Sequence, residues 1–384
     1  DIPRAEDLHQ PASKSRVDGP FHWIPRYNHT SWKEAQRMSM SMARTTKPPG
    51  ASAAPPMSST PSAADGEPVL ALRDSLLLSQ RSSTIARQMG MIERELMASI
   101  DWSELSEPSW DQHTVRQEQW QLEYQDYVMF RIRQTMNDEP SEGQKDALRQ
   151  TIHGRGIHML IARFNRTCAW VASHIVRSNN IQERVAIVNK FIRIAWHCYR
   201  QGNMESLCQI MFGLQSPWIA RLQQTWEQVS LWELRAFEAL RRFTSPREQF
   251  AFLRYSMREA IETNIPSRRF SPLTTSSSPY VPFFGQFVSD LSAIDSLASF
   301  VDASGMPNTM PLYDDQELSL SWDALVNVYR LRIKSHIVRE FITLQRCQRQ
   351  APAPPMELPI LIEVLQLDTL SAMAIQSTSL ALEP

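Results

Sequence analysis

The strongest constraint on the fold lies between residues 156 and 240, where apolar side chains recur at helical spacing and the first proline is Pro217. Ile157, Leu160, Ile161 and Phe164 lead into Trp170, Val171, Ile175 and Val176, steps of three and four that gather them on one side of a helix. Over 184–199 the apolar set is Val185, Ile187, Val188, Phe191, Ile192, Ile194, Ala195 and Trp196. It covers most faces, so this helix is predicted to be central, packed on several sides. Further helices are expected over 204–214, 217–227 and 231–243. With only 11 glycines in 384 residues, and with its 25 prolines clustered, the chain reads as one large all-α domain.

The flanks read differently. Residues 1–70 are expected to form a disordered or linker segment, since 45–66 is dominated by Pro, Ala, Ser and Lys and cannot bury enough surface to offset its ordering entropy. Phe21, Trp23, Ile24 and Trp32 form an isolated aromatic patch within it. The domain is placed at 71–348. Its first long helix carries the stripe Ile85, Met89, Ile92 and Leu96, with Ser82 or Ser83 as cap. A polar stretch bounded by Pro108 and Pro140 holds one more helix through Trp120, Tyr124, Tyr127 and Val128. It reads as an insertion at about 106–153 that loops out of the core. A long helix is expected over 321–345. Pro352, Pro354 and Pro355 then introduce a tail, 349–384, apolar enough over 358–382 to pack as a helix or to bind a partner.

Several function classes drop out. A formal net charge of −1 offers no global attraction to nucleic acid, and no apolar run approaches the roughly 20 residues that cross a bilayer, so no direct membrane insertion is expected. Cys168, Cys198, Cys208 and Cys347 form no C-x-x-C pair and have no histidine at ligand spacing. They read as reduced thiols of a cytoplasmic protein, with no metal or cofactor implied. No phosphate-cradling glycine loop, nucleophile elbow or H-E-x-x-H is present. His158, His174 and His197 lie in apolar helical pattern and read as structural.

Three stretches carry more. Residues 75–100 read SLLLSQRSSTIARQMGMIERELMASI. Residues 163–226 contain RFNRTCAWVASHIV, ERVAIVNKFIRIAWHC and GNMESLCQIMFGLQSPWIARLQQTW. Residues 281–291 read VPFFGQFVSDL. In order and spacing these blocks resemble the catalytic domain of Ras guanine-nucleotide exchange factors (RasGEF), over 72–105 and 156–347. The resemblance implies an all-helical domain with a protruding helical hairpin at about 283–347, and as partner a Ras-family small GTPase of Ras, Rap or Ral type. It implies recruitment to the membrane periphery through that GTPase or other partners. No covalent chemistry is implied. A factor of this kind lowers nucleotide affinity by binding the nucleotide-free GTPase more tightly, and linkage makes the effect reciprocal.

By the same resemblance, the hairpin pries one switch of the GTPase aside while a hydrophobic pocket grips the other. Phe283 matches a position that packs against the second switch. Arg87 and Met89 match first-helix positions near the pocket, with Thr167 or Cys168 on its other wall. Phe284, Phe287, Val288, Leu291 and Ala298 form the stripe expected to face the second hairpin helix. Asn165, Trp170, Arg184 and Asn203 match recurrent positions of structural character. On the exposed hairpin face the family usually carries a Leu and, four residues later, a Glu; here Ser292 and Ser296 stand there, with Asp295 beside them. Asp295 is the negative charge expected to disfavour phosphate. The departure leaves two readings: a working exchange factor, or a GTPase-binding helical scaffold with weakened or lost exchange.

Overall fold

The computed structural model describes residues 76–106, 115–136, 143, 155–264, 280–307, 325–350 and 355–383. The aromatic patch and linker expected within 1–70 lie outside them. In chain order the helices are α1 (Leu76–Ser79), α2 (Ser82–Ser99), α3 (Trp102–Ser106), α4 (Val115–Met136), α5 (Gly156–Arg177), α6 (Ile181–Arg200) and α7 (Met204–Leu214). They continue as α8 (Pro217–Ala220), α9 (Gln223–Glu227), α10 (Leu231–Phe243), α11 (Ala251–Asn264) and α12 (Phe284–Asp295). A two-stranded ribbon, β1 (Phe300–Val301) and β2 (Leu325–Val326), precedes α13 (Val328–Gln350), α14 (Leu358–Gln366) and α15 (Ala372–Leu382).

The centre of the domain is α7, where every residue from Met204 to Leu214 is buried, packed against α5, which is buried along nearly its whole length. The more evenly apolar α6 lies beside them but keeps an outer polar edge at Gln182 and Arg193. Helix ends follow from their caps. Asn180 Oδ1 accepts the Gln182 N–H at 2.9 Å to start α6, and Asn203 Oδ1 accepts the Ser206 N–H at 3.0 Å to start α7. Close approach of α5 and α7 depends on Gly213. A Cβ there would lie 2.9 Å from the Cys168 carbonyl oxygen and 2.9 Å from the Val171 Cβ, so a glycine is what lets the two helices touch.

Several expectations are corrected. Neither serine caps α2: Arg81 is the N-cap residue, its side chain makes no capping bond, and Ser82 is already helical. The 217–227 helix is two short pieces, α8 and α9. Within the stretch read as an insertion, helix α4 does not loop out: it buries Trp120, Tyr124, Tyr127, Val128 and Ile132 against α5 and α14. Tyr124 donates to the Leu365 carbonyl at 3.0 Å, and Tyr127 donates to Glu95 at 3.1 Å. Polar composition concealed this, since a period of three to four carried by aromatics needs few apolar residues to fill a groove.

The tail is likewise part of the domain. Helix α14 buries Ile360, Leu361, Val364 and Leu365 against α2 and α4, and α15 lies on α5 and α8. Glu383 closes the chain onto the body. Its carboxylate accepts the Gln224 and Thr225 N–H groups at 3.0 and 3.1 Å, capping α9, and pairs with Arg184 at 3.5 Å.

Candidate functional site

The hairpin is α12 and α13 joined through the β1–β2 ribbon, in which Phe300 pairs with Val326 and Val301 with Leu325. The first helix ends at Asp295, so Ala298 of the expected stripe lies beyond it, and the second, expected over 321–345, runs from Val328 to Gln350. Phe284 and Phe287 set their rings against Phe341 of α13, at 5.6 and 5.3 Å between centroids. Leu291 and Val288 extend this buried seam.

Its base is fastened to α7 in three ways. The Val281 carbonyl accepts the Met204 N–H and the Val281 N–H donates to the Gly202 carbonyl, each at 2.8 Å. Glu205 Oε2 accepts the Phe284 N–H at 2.7 Å, taking an otherwise unpaired donor of the first turn of α12. The Phe283 ring enters a cluster with Phe250, Phe164 and Phe212 at 5.2, 5.7 and 6.0 Å. Gly285 makes room for that ring, since a Cβ at this position would collide with the Phe283 Cζ.

Glu205 belongs to a buried polar chain. Gln209 Nε2 donates to Glu93 at 3.1 Å and lies 3.4 Å from Glu205; Arg163 Nε donates to Glu93 at 2.7 Å. Arg163 also donates to the Tyr124 hydroxyl at 2.7 Å and to the Val364 carbonyl at 2.8 Å. Burial, followed by the charge of Glu93, pushes the Glu205 carboxyl well above its ordinary range, against the pull of the Phe284 N–H. The chain thus runs from the hairpin base to α4 and the tail without reaching solvent, and nothing in the sequence marks it beyond polar residues on apolar helix faces.

The expected GTPase-contacting residues fall into two groups. Phe283, Met89, Thr167 and Cys168 are each 0% exposed. They are core side chains and no partner can reach them in this conformation. Their apolar character suited either role, and only the depth at which the base of α12 docks decides. Thr167 bonds the Arg163 carbonyl at 2.9 Å, and the Cys168 thiol donates to the Gln209 carbonyl at 3.2 Å, with burial raising its pKa. Arg87 alone of the pocket set is half-exposed.

On the hairpin, Ser296 is exposed with Ser289 and Ala293, while Ser292 sits half-buried at the margin of that face. Asp295 is not a free charge. It pairs with Arg330 at 2.7 Å and Lys334 at 2.8 Å, both from α13. Of the positions read as structural, Trp170 packs edge-on against Phe191 at 5.1 Å, Arg184 donates to Thr225 at 2.8 Å, and Asn165 and Asn203 are buried.

These features define an all-helical domain whose helical hairpin is fastened to a buried central helix. A sequence model of the RasGEF domain matches residues 84–332, and the chain belongs to that family. Guanine nucleotide exchange factor LTE1 of Kluyveromyces lactis is 26% identical over 216 residues, which is 56% of this chain and 13% of that protein. Ras guanine nucleotide exchange factor C of Dictyostelium discoideum is 31% identical over 132 residues, covering 34% of this chain and 8% of its own length. Rap guanine nucleotide exchange factor 5 of Homo sapiens is 36% identical over 94 residues, covering 24% and 16%. The chain therefore spans well under a fifth of each of these relatives. Among the described residues, no helix is long and apolar enough to cross a membrane.

Proposed function

We propose that this protein is a guanine-nucleotide exchange factor that binds a Ras-family small GTPase, opens its switch regions and promotes GDP release without covalent chemistry. The observation that carries the reading is the hairpin: α12 is pinned at its base by Glu205 and the Phe283 cluster and held along its length by Phe341, yet presents Ser289, Ala293 and Ser296 to solvent. A lever must be stiff where it is mounted and free where it pushes. Exchange then follows from binding the nucleotide-free GTPase more tightly than the loaded one, and nucleotide weakens the complex by the same factor. Small side chains on the free face allow close approach to the GTPase. Fluorescent-GDP release from a panel of Ras, Rap and Ral proteins tests it: acceleration by the purified chain for at least one is expected, and intrinsic rates throughout would refute it.

One observation favours a second reading, a scaffold that binds a GTPase without exchanging its nucleotide. With Asp295 neutralised by Arg330 and Lys334, the outer face of α12 offers no free carboxylate to compete with phosphate. Stable binding combined with an unaltered release rate would select it.

A further inference from the structure

Helix α13 concentrates charge. It holds six Lys and Arg residues and one Glu, in a chain whose formal net charge is −1. Two of the cations, Arg330 and Lys334, are spent on Asp295. Arg349 donates to the Ala98 carbonyl at 2.8 Å. The other three, Arg332, Arg339 and Arg346, are exposed and recur every seven residues, so they line one face over about 21 Å of helix. That face lies opposite the buried Ile337, Phe341 and Leu344 that hold α13 to the domain. Between the arginines stand His336 and the small Ser335 and Thr343. The helix's one acid, Glu340, sits at the flank and is 3.4 Å from His336. Among the described residues no carboxylate pairs with the three arginines. At the start of the same face, Val328 and Tyr329 are 53% and 47% exposed.

We propose that this outward face of α13 docks on an anionic membrane surface. Charge complementarity points to an anionic partner, and two further features select a lipid surface over an acidic protein. The arginines form a straight, evenly spaced row, and the cleft of about 380 Å³ that Leu331, Arg332, Ser335, His336 and Arg339 line along it is shallow and open to solvent, which suits headgroups that can rearrange laterally. The exposed Val328 and Tyr329 at the end of the row match the depth at which aliphatic and aromatic side chains enter the headgroup boundary. Such docking would hold the hairpin beside a membrane-bound partner. The binding itself does not depend on the exchange reading.

The test is flotation of the full chain with vesicles of phosphatidylcholine alone and with about a third phosphatidylserine, at low and high salt. Wild type is expected to bind the anionic vesicles only, with salt weakening the binding. The triple variant Arg332→Gln, Arg339→Gln, Arg346→Gln should partition roughly 100-fold more weakly, since each cation near such a surface contributes about a fivefold factor. A control triple at other exposed arginines, Arg200→Gln, Arg235→Gln, Arg258→Gln, should bind as wild type does. The first triple should keep its wild-type melting temperature and its rate of nucleotide release in vesicle-free solution, which separates this outcome from failure of the exchange reading. No binding by wild type, equal binding to neutral vesicles, or equal loss in both triples would overturn the proposal. Binding to polyglutamate without binding to vesicles would overturn it too, making the face a contact for acidic protein.

Discussion

The carboxylate of Glu205 accepts the backbone N–H of Phe284 at 2.7 Å, joining the most deeply buried helix of the domain to the first turn of the hairpin. Both residues are fully enclosed, so the bond is not exchanged for water. It is one of the contacts that set the angle at which α12 leaves the body, and it is made by a group whose burial favours its neutral form.

A pH dependence follows. The Glu205 carboxyl is raised in the fold, so the native state holds a proton that the unfolded chain releases from about pH 4.5 upward. The associated stability is present below that value and is lost as pH rises towards the folded-state pKa. Glu205→Gln keeps an acceptor for the Phe284 N–H but cannot ionise. Its stability should therefore vary less between pH 5 and pH 8 than that of wild type, as measured by urea denaturation at each pH. Glu205→Ala, which strands the N–H, should cost about 1–3 kcal/mol. Parallel pH profiles for wild type and Glu205→Gln would show that another group carries the titration.

Phe283→Ala should act on stability before it acts on binding. The ring fills a cluster of four phenylalanines, and its removal should cost roughly 3–5 kcal/mol. The melting temperature should fall sharply, and GDP-release activity should fall with the folded fraction. A variant with full thermal stability but weak GTPase affinity would instead make Phe283 a contact residue.

Tyr124→Phe should show that α4 belongs to the core. It removes one hydroxyl that donates to the Leu365 carbonyl and accepts from Arg163, leaving two buried groups short of a partner at a cost of about 1–3 kcal/mol. Replacing residues 106–153 by a Gly/Ser linker should leave an unstable or insoluble product, because α5 and α14 would lose the surface that covers them. A soluble, cooperatively melting deletion variant would contradict both expectations.

Ala293→Arg and Ser296→Arg place a bulky charge on the exposed face of α12 without entering the seam against α13. Each should leave the fold within about 0.5 kcal/mol of wild type and reduce GDP release at least tenfold. Ser292→Arg, at the half-buried margin, should lower both stability and exchange. Undiminished release in the first two variants would move the working face off this side of the helix.

Periodicity alone reached the all-α class and the run of helices from 156 to 243, because burying one face of a helix is a local requirement written in steps of three and four. The three blocks over 75–100, 163–226 and 281–291 added the family, the place of the hairpin and the seam of Phe284, Phe287 and Leu291. Local pattern could not say how deep a side chain lies: Phe283, Met89 and Cys168 match positions expected to contact the GTPase, and all three lie in the core. It could not say which charges find one another, so Asp295 read as free although two cations thirty-five and thirty-nine residues away neutralise it. Nor could it show that α4 and the tail complete the core, since that depends on Arg163 meeting Tyr124, Glu93 and the Val364 carbonyl from four separate parts of the chain. Such pairings are decided by which surfaces pack together, and sequence spacing does not record the distance between them.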